Sequence, residues 1–382
     1  MAWTAFDSTA MRRSLELAGR GAGHVEPNPM VGAVVAQGDR IVGEGWHARF
    51  GGPHAEVAAL IAAGDAARGA TLYVTLEPCC HQGKTPPCSD AIIAAGIGRV
   101  VVAAGDPFAA VAGGGLRALR AAGVMVETGL CEREALRLTA PFRMLVTEGR
   151  PWVIGKWAMT LDGRVATTEG DSRWISSEAS RTLVHELRGR VDAIVVGIGT
   201  VLADDPLLTP RPPGPRLPLR VVLDRSARLP LESGLVRSAA EVPLLVATGS
   251  EAPPERVRRL EAAGCEVWSG SDPDPGGRFL ELLAELGGRR FTNLLVEGGP
   301  TVLGSLLDRA AIDEVWAFVA PKVVGGAAAF SPVAGRGIAA IAEAVAIDVE
   351  QVDHPGGDLL VRGLVNRSCS PLSQPRGGMP RS

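Results

Sequence analysis

The sequence contains no uninterrupted apolar run approaching the roughly 18 residues of a membrane-spanning helix. Its opening, Met1-Ala-Trp-Thr-Ala-Phe-Asp7, has neither a basic n-region nor an apolar h-region. The expectation is therefore a cytoplasmic protein without a secretory signal or membrane span. Charge of one sign is also missing: 39 Lys and Arg stand against 42 Asp and Glu, for a net charge of −3. That balance gives no overall attraction to nucleic acid or an anionic membrane, so any polyanion contact has to be local. The second half lacks a Gly-x-Gly-x-x-Gly after its first strand, and a Rossmann dinucleotide site is not supported. No internal repeat is visible. Six cysteines in a chain this long, without a signal, are expected to sit in a reducing compartment. Cys131, Cys265 and Cys369 have no partner motif and read as inert.

What is present is the composition of a globular protein, 46% hydrophobic and 21% charged, with 48 glycines and 28 prolines to make turns. A chain of 382 residues suggests two domains. Periodicity predicts a helix over residues 8–19, a hairpin of strands over 31–36 and 41–46, and a helix after His54 that stops at Gly64. It then predicts strands over 71–76 and 99–104 and a helix over 132–145. This alternation argues for a layered α/β sandwich. The pattern restarts near Pro151, giving domains 1–147 and 151–365. The later part shows strands over 152–159, 193–196, 219–223, 243–248 and 293–296, helices over about 178–187, 254–263 and 278–286, and a proline-rich loop over 206–218. Late strands over 314–319, 345–352 and 358–364 are antiparallel candidates, and residues 368–382 read as a disordered tail.

One stretch carries most of the chemistry: Gly51-Gly-Pro-His54-Ala-Glu56, then Thr75-Leu-Glu77-Pro-Cys79-Cys-His81-Gln-Gly-Lys84-Thr-Pro-Pro-Cys88. His54, Cys79 and Cys88 can supply three corners of a Zn²⁺ tetrahedron and leave the fourth to water, whose pKa then drops from about 15.7 to roughly 7. Glu56, two residues past the histidine, is placed to carry protons. This is the pattern of zinc nucleobase deaminases. The competing reading is a structural zinc site. Such sites usually fill all four positions and pair cysteines two to four residues apart; a fourth ligand from Cys80 or His81 would restore it. Lys84 is a point charge suited to a phosphate, and His81 suits a polar ring edge. Asn28 sits in Pro27-Asn28-Pro29, where the prolines rule out helix, and His47 is held in a loop beside a strand. A turn-stabilising role for Asn28 stays open.

Together with Pro27-Asn28-Pro29-Met-Val-Gly, these strings resemble the bifunctional riboflavin-biosynthesis family, which joins a diaminohydroxyphosphoribosylaminopyrimidine deaminase to a 5-amino-6-(5-phosphoribosylamino)uracil reductase. The nine residues from Cys79 to Cys88 differ from the Pro-Cys-x-x-Cys of cytidine and tRNA adenosine deaminases. The resemblance implies zinc on His54, Cys79 and Cys88, proton transfer by Glu56, and substrate contacts from Asn28, His47, His81 and Lys84. Cys80 stands where a serine is common in the family.

In the second half the residues alone say less: Glu297-Gly298-Gly299-Pro300-Thr301 is a glycine turn opening a helix, where free N–H groups can meet a phosphate. The resemblance extends here through Gly155-Lys156-Trp-Ala-Met-Thr-Leu-Asp162, Asp171-Ser172-Arg-Trp174-Ile-Ser176 and Thr200-Val-Leu-Ala-Asp204. It implies a dihydrofolate-reductase-like α/β domain after the cytidine-deaminase-like sandwich. NADPH would be contacted by Ala158, Trp174, Thr200, Asp204 and the turn Gly299, Pro300, Thr301, Val302, Leu303, Gly304 and Ser305. Ser172, Arg188, Leu208, Arg211 and Glu297 would contact substrate, the two arginines because their forks match phosphate oxygens. Lys156 is the implied catalytic residue, and Arg225 is a candidate for the 2′-phosphate of the cofactor. The implied partner is a phosphorylated ribosylaminopyrimidine, in a homo-oligomer that engages neither nucleic acid nor membrane. Two rivals remain: a tRNA or free-base deaminase fused to a cofactor-binding module, and a zinc-stabilised binding protein without turnover.

Overall fold

The computed structural model describes residues 3–80, 86–108 and 111–366, and the chain divides between Arg150 and Pro151 into two compact units. The first begins with α1 (Ala5–Gly19). The Thr4 hydroxyl accepts from the Asp7 N–H at 3.0 Å while the Asp7 carboxylate accepts from the Thr4 N–H at 2.8 Å. This reciprocal cap starts the helix upstream of the expected Ser8. Next come β1 (Gly32–Gln37), β2 (Arg40–Trp46), α2 (Ala55–Ala63), β3 (Thr71–Leu76), α3 (Cys88–Ala94), β4 (Arg99–Ala104), α4 (Gly114–Ala121), β5 (Met125–Thr128), α5 (Glu132–Leu138) and α6 (Ala140–Glu148). The single helix expected over 132–145 is broken at Thr139, because Pro141 has no N–H to continue the ladder of α5.

The sheet order is β2-β1-β3-β4-β5, with β1 antiparallel to both neighbours and β3, β4 and β5 parallel. Successive strand residues face opposite sides, and both sides are covered. Val35, Leu72, Val74 and Val102 meet Ala59 of α2, Ile92 of α3 and Leu119 of α4, whereas Val34, Tyr73 and Val101 meet Met11 and Leu17 of α1 and Ala135 of α5. Helix α2 lies directly on β2. A Cβ at Gly45 would come within 2.4 Å of the Ala59 nitrogen and 2.5 Å of the Ala55 oxygen, and one at Gly43 within 2.3 Å of the Ala59 oxygen. Only glycine lets strand and helix backbones approach so closely.

The second unit contains β6 (Trp152–Thr160), α7 (Glu178–Arg188), β7 (Ala193–Gly197), α8 (Ile198–Asp204), β8 (Leu219–Leu223), α9 (Gly234–Arg237), β9 (Leu244–Gly249), α10 (Pro254–Ala262), β10 (Glu266–Gly270), α11 (Pro275–Gly288), β11 (Asn293–Val296), α12 (Pro300–Leu307), β12 (Glu314–Ala320), β13 (Ile347–Asp353) and β14 (Leu359–Val365). Its sheet runs β10-β9-β8-β7-β11-β6-β12-β14-β13. Of the three late strands expected to be antiparallel, β13 and β14 are; β12 is antiparallel to β14 but parallel to β6. Strand β10 and helices α8 and α9 are additions to the sequence reading. One face buries Val153, Val195, Val221 and Leu294 under Phe279 and Leu282 of α11; the other buries Ile194, Val196, Val222 and Val246 under Leu235 of α9 and Leu260 of α10. Fully buried Arg220 on β8 donates to the carbonyls of Leu207, Leu235, Ser238 and Val242 and to the Ser238 hydroxyl. It thereby pins the chain ahead of β8 and the end of α9 to the sheet.

Candidate active sites

In the first unit the end of β3 delivers Cys79, and two helix starts converge on it: His54 precedes α2 and Cys88 is the first residue of α3. His54 Nδ1 lies 3.1 Å from Cys88 Sγ and 3.6 Å from Cys79 Sγ. The three ligand atoms lie within 4.8 Å of one another. Tetrahedral Zn–N and Zn–S bonds place nitrogen about 3.6 Å from sulfur, so spacing and donor chemistry both fit zinc. Cys79 also receives the Cys88 backbone N–H at 3.3 Å. The two thiols share one proton: Cys88 donates toward Cys79, which draws the Cys79 thiol down, with His54 and the Cys88 N–H acting the same way against burial, and holds the Cys88 thiol up. Glu56, in the first turn of α2, is 3% exposed, and burial pushes its carboxyl up to about 7, the range of a proton carrier. Cys80 turns toward the Val111 carbonyl at 3.9 Å and is outside the ligand trio, so it supplies no fourth ligand there. His81 and Lys84 lie outside the described residues.

Asn28 and His47 meet beside this centre. Buried His47 contacts the Pro53 carbonyl through Nδ1 at 2.9 Å and the Asn28 amide nitrogen through Nε2 at 3.2 Å, and its ring lies 5.6 Å from that of His54. A carbonyl only accepts, so Nδ1 carries the proton and Nε2 accepts from Asn28. Burial, more than the His54 charge, lowers the His47 pKa and favours this neutral form. Sequence reasoning missed Glu77. Its buried carboxylate accepts N–H groups from Gly113 at 3.0 Å, Gly115 at 3.1 Å and Leu116 at 3.3 Å, tying the start of α4 to the residue two positions before Cys79. The string Thr-Leu-Glu-Pro-Cys held that residue in view without indicating its partners.

In the second unit a cleft of about 580 Å³ opens over the ends of β6, β7 and β11. Glu297, the residue just after β11, lies at its base. Arg188 of α7 grips it in a fork at 2.6 and 2.8 Å, and Lys156 of β6 stands 3.9 Å away. Burial acts to raise the pKa of Glu297, but Arg188 and then Lys156 outweigh it and hold the carboxyl at about 2. Lys156 is half-buried in the cleft wall, and burial lowers its pKa against the attraction of Glu297. The fork of Arg188 is therefore occupied by a carboxylate, whereas Arg211 stands exposed in the cleft wall. Ser172, Leu208, Ala158, Trp174, Thr200 and Asp204 line the same cleft. Of the run from Gly299 to Ser305, Gly299, Pro300 and Leu303 line it, whereas Gly304 abuts Ala334. A Cβ at Gly299 would stand 3.3 Å from the Thr200 hydroxyl, a close-set turn at a helix start that fits a nucleotide phosphate. Arg225 pairs with Glu251 and is not in the cleft wall. His185, lining it beside Arg188, escaped the sequence reading.

The first unit thus defines a zinc-dependent deaminase and the second a reductase. The family described as "Cytidine and deoxycytidylate deaminase zinc-binding region" matches residues 4–104, and the one described as "RibD C-terminal domain" matches residues 151–361. The riboflavin biosynthesis protein RibD of Aquifex aeolicus is 42% identical over 356 residues, which cover 93% of this chain and 97% of that protein. Its counterpart in Escherichia coli is 39% identical, covering 92% and 98%. A solved diaminohydroxyphosphoribosylaminopyrimidine deaminase/5-amino-6-(5-phosphoribosylamino)uracil reductase from Thermotoga maritima superposes with a TM-score of 0.82 at 38% identity, covering 94% of this chain and 99% of that one. RibD from Acinetobacter baumannii gives 0.82 at 35%, covering 95% and 99%. The chain belongs to the RibD family of riboflavin biosynthesis proteins. It is an enzyme of that pathway with zinc and NADPH as its cofactors.

Proposed function

We propose that the chain deaminates 2,5-diamino-6-(5-phosphoribosylamino)pyrimidin-4-one in its first unit and reduces the ribosyl group of the product to a ribityl chain in its second. The observation that carries the first half is the convergence of His54, Cys79 and Cys88 beside the buried carboxyl of Glu56. Zinc supplies Lewis acidity toward water. Glu56 takes a proton and returns it to the departing amine, and Asn28, oriented by His47, holds the ring. His81 and Lys84 stay in this reading as substrate contacts on the strength of the family resemblance.

In the second unit NADPH supplies the hydride, held by Ala158, Trp174, Thr200, Asp204 and the turn from Gly299 to Ser305. Glu297 keeps Lys156 beside the opened ribosyl chain, where Nζ donates a proton. Ser172, Leu208 and Arg211 bind the substrate, and Arg188 reaches it through Glu297. A homo-oligomer in the cytoplasm, working on this small phosphorylated substrate and on neither nucleic acid nor membrane, completes the proposal. The thiolate ligands and NADPH suit a reducing compartment.

The test supplies the diaminopyrimidine phosphate and follows ammonia and NADPH separately. Ammonia release followed by NADPH oxidation is expected. Ammonia alone would sink the two-step reading, and NADPH oxidation without ammonia would sink the deaminase. A monomer in sedimentation at micromolar concentration would remove the oligomer.

A further inference from the structure

The Thr209 carbonyl, two residues before Arg211, receives two side chains of α7: His185 Nδ1 at 3.2 Å and Arg188 Nη1 at 3.4 Å. Because a carbonyl cannot donate, the His185 proton sits on Nδ1 and Nε2 is left as an acceptor. Arg211 Nη2 meets that Nε2 at 3.3 Å. We infer that His185 is a positioning residue of the reductase: its neutral ring, locked by Thr209, holds one arm of the Arg211 fork and leaves the other donors free for the phosphate of the substrate. This rests on the reading that Arg211 contacts that phosphate.

The charged groups facing the ring are Arg188 on α7 itself, Arg211 from the loop ahead of β8, and Glu297 at the end of β11. Burial, then the two guanidiniums, lower the pKa of His185, opposed by Glu297. Protonation would turn Nε2 into a donor facing the donors of Arg211, with like charges on both sides. The contact would then open, and Arg211 would lose its orientation as pH falls. An apolar residue at this position would leave Arg211 to roam the cleft rim as an ordinary exposed side chain.

The experiment uses the full chain with the deaminated phosphoribosylaminouracil supplied, so that NADPH oxidation reports the reductase alone. His185→Leu should raise KM for this substrate about tenfold, the effect of one hydrogen bond to a charged group, with kcat and KM for NADPH within about twofold. His185→Gln places an amide oxygen near the position of Nε2 and should restore most of the affinity without titrating. Because the His185 pKa is held below the ordinary imidazole value of about 6.5, KM should climb more steeply for the unsubstituted chain than for His185→Gln as pH falls below about 6.5; the titration of the phosphate is common to both. Arg211→Met should raise KM, and adding His185→Leu to it should change nothing further. If Arg211→Met raises KM but His185→Leu does not, or if the His185→Gln profile follows that of the unsubstituted chain, the positioning role is wrong while the phosphate reading stands. An unchanged KM in Arg211→Met would remove both.

Discussion

Replacing Gly45 by alanine tests whether the close seat of α2 on β2 sets the metal centre. The added methyl would begin 2.4 Å from the Ala59 nitrogen and 2.5 Å from the Ala55 oxygen, where ordinary contact starts at 3.4 Å. Both obstacles are helix backbone, so no side chain can swing aside, and α2 must retreat by about 1 Å at its first turn. That turn carries Glu56 and follows directly on His54. Overpacking of this kind costs about 1–3 kcal/mol. A displacement of about 1 Å at a reacting group costs about a hundredfold in rate. Gly45→Ala should therefore lose bound zinc on dialysis against a mild chelator and release ammonia about a hundredfold more slowly. Its NADPH oxidation with supplied intermediate should be unchanged. Gly19→Ala, where a Cβ meets nothing within 4 Å, is the control. Full zinc content and an unaltered ammonia rate in Gly45→Ala would refute the argument that backbone contact fixes the centre.

Glu56→Gln should keep its zinc by metal analysis yet lose ammonia release by about 10²–10⁴-fold; more than a tenth of the activity remaining would remove Glu56 as the proton carrier. Glu297→Gln leaves Arg188 buried without its carboxylate and should destabilise the second unit by about 3–5 kcal/mol at neutral pH. Because the folded pKa of Glu297 is depressed to about 2 from 4.5, its stabilisation is fully present above pH 4.5 and fades as pH drops toward 2. Urea midpoints of the two chains should therefore converge in acid, and a constant gap would contradict the pairing. Arg220→Met strands several buried carbonyls and should cost about 3 kcal/mol, a melting shift of roughly 6–12 °C for this unit, while leaving zinc content unchanged; an equal loss of zinc would show that the effect is not local.

The metal centre was legible because its ligands come in two short strings, with strand and helix boundaries marked by Gly51, Gly52, Pro53, Pro78 and Pro87. Local pattern was enough to place His54, Cys79 and Cys88 at element ends. The cleft of the second unit was not legible in that way. Lys156, Arg188 and Glu297 come from β6, α7 and the end of β11, and only the parallel pairing of β11 with β6 and β7 joins them. Resemblance supplied those residues; spacing could not. His185 went unseen although it lies one turn before Arg188, because a single histidine on an amphipathic helix carries no signal until its partners are known. Strand β10 was lost for a similar reason: Glu266–Gly270 is short and half exposed, and it is recruited by parallel pairing with β9.

The contact from the Pro53 carbonyl through His47 to Asn28 has a direction. Each link settles the next, so one N–H of the Asn28 amide is committed to His47, and its second N–H and its oxygen remain to meet a ring. A pyrimidine edge that sets an acceptor beside a donor answers both. The backbone of the loop before a zinc ligand thus decides, two hydrogen bonds away, which way round the amide stands, and a ring edge with donors alone or acceptors alone should bind more weakly for that reason.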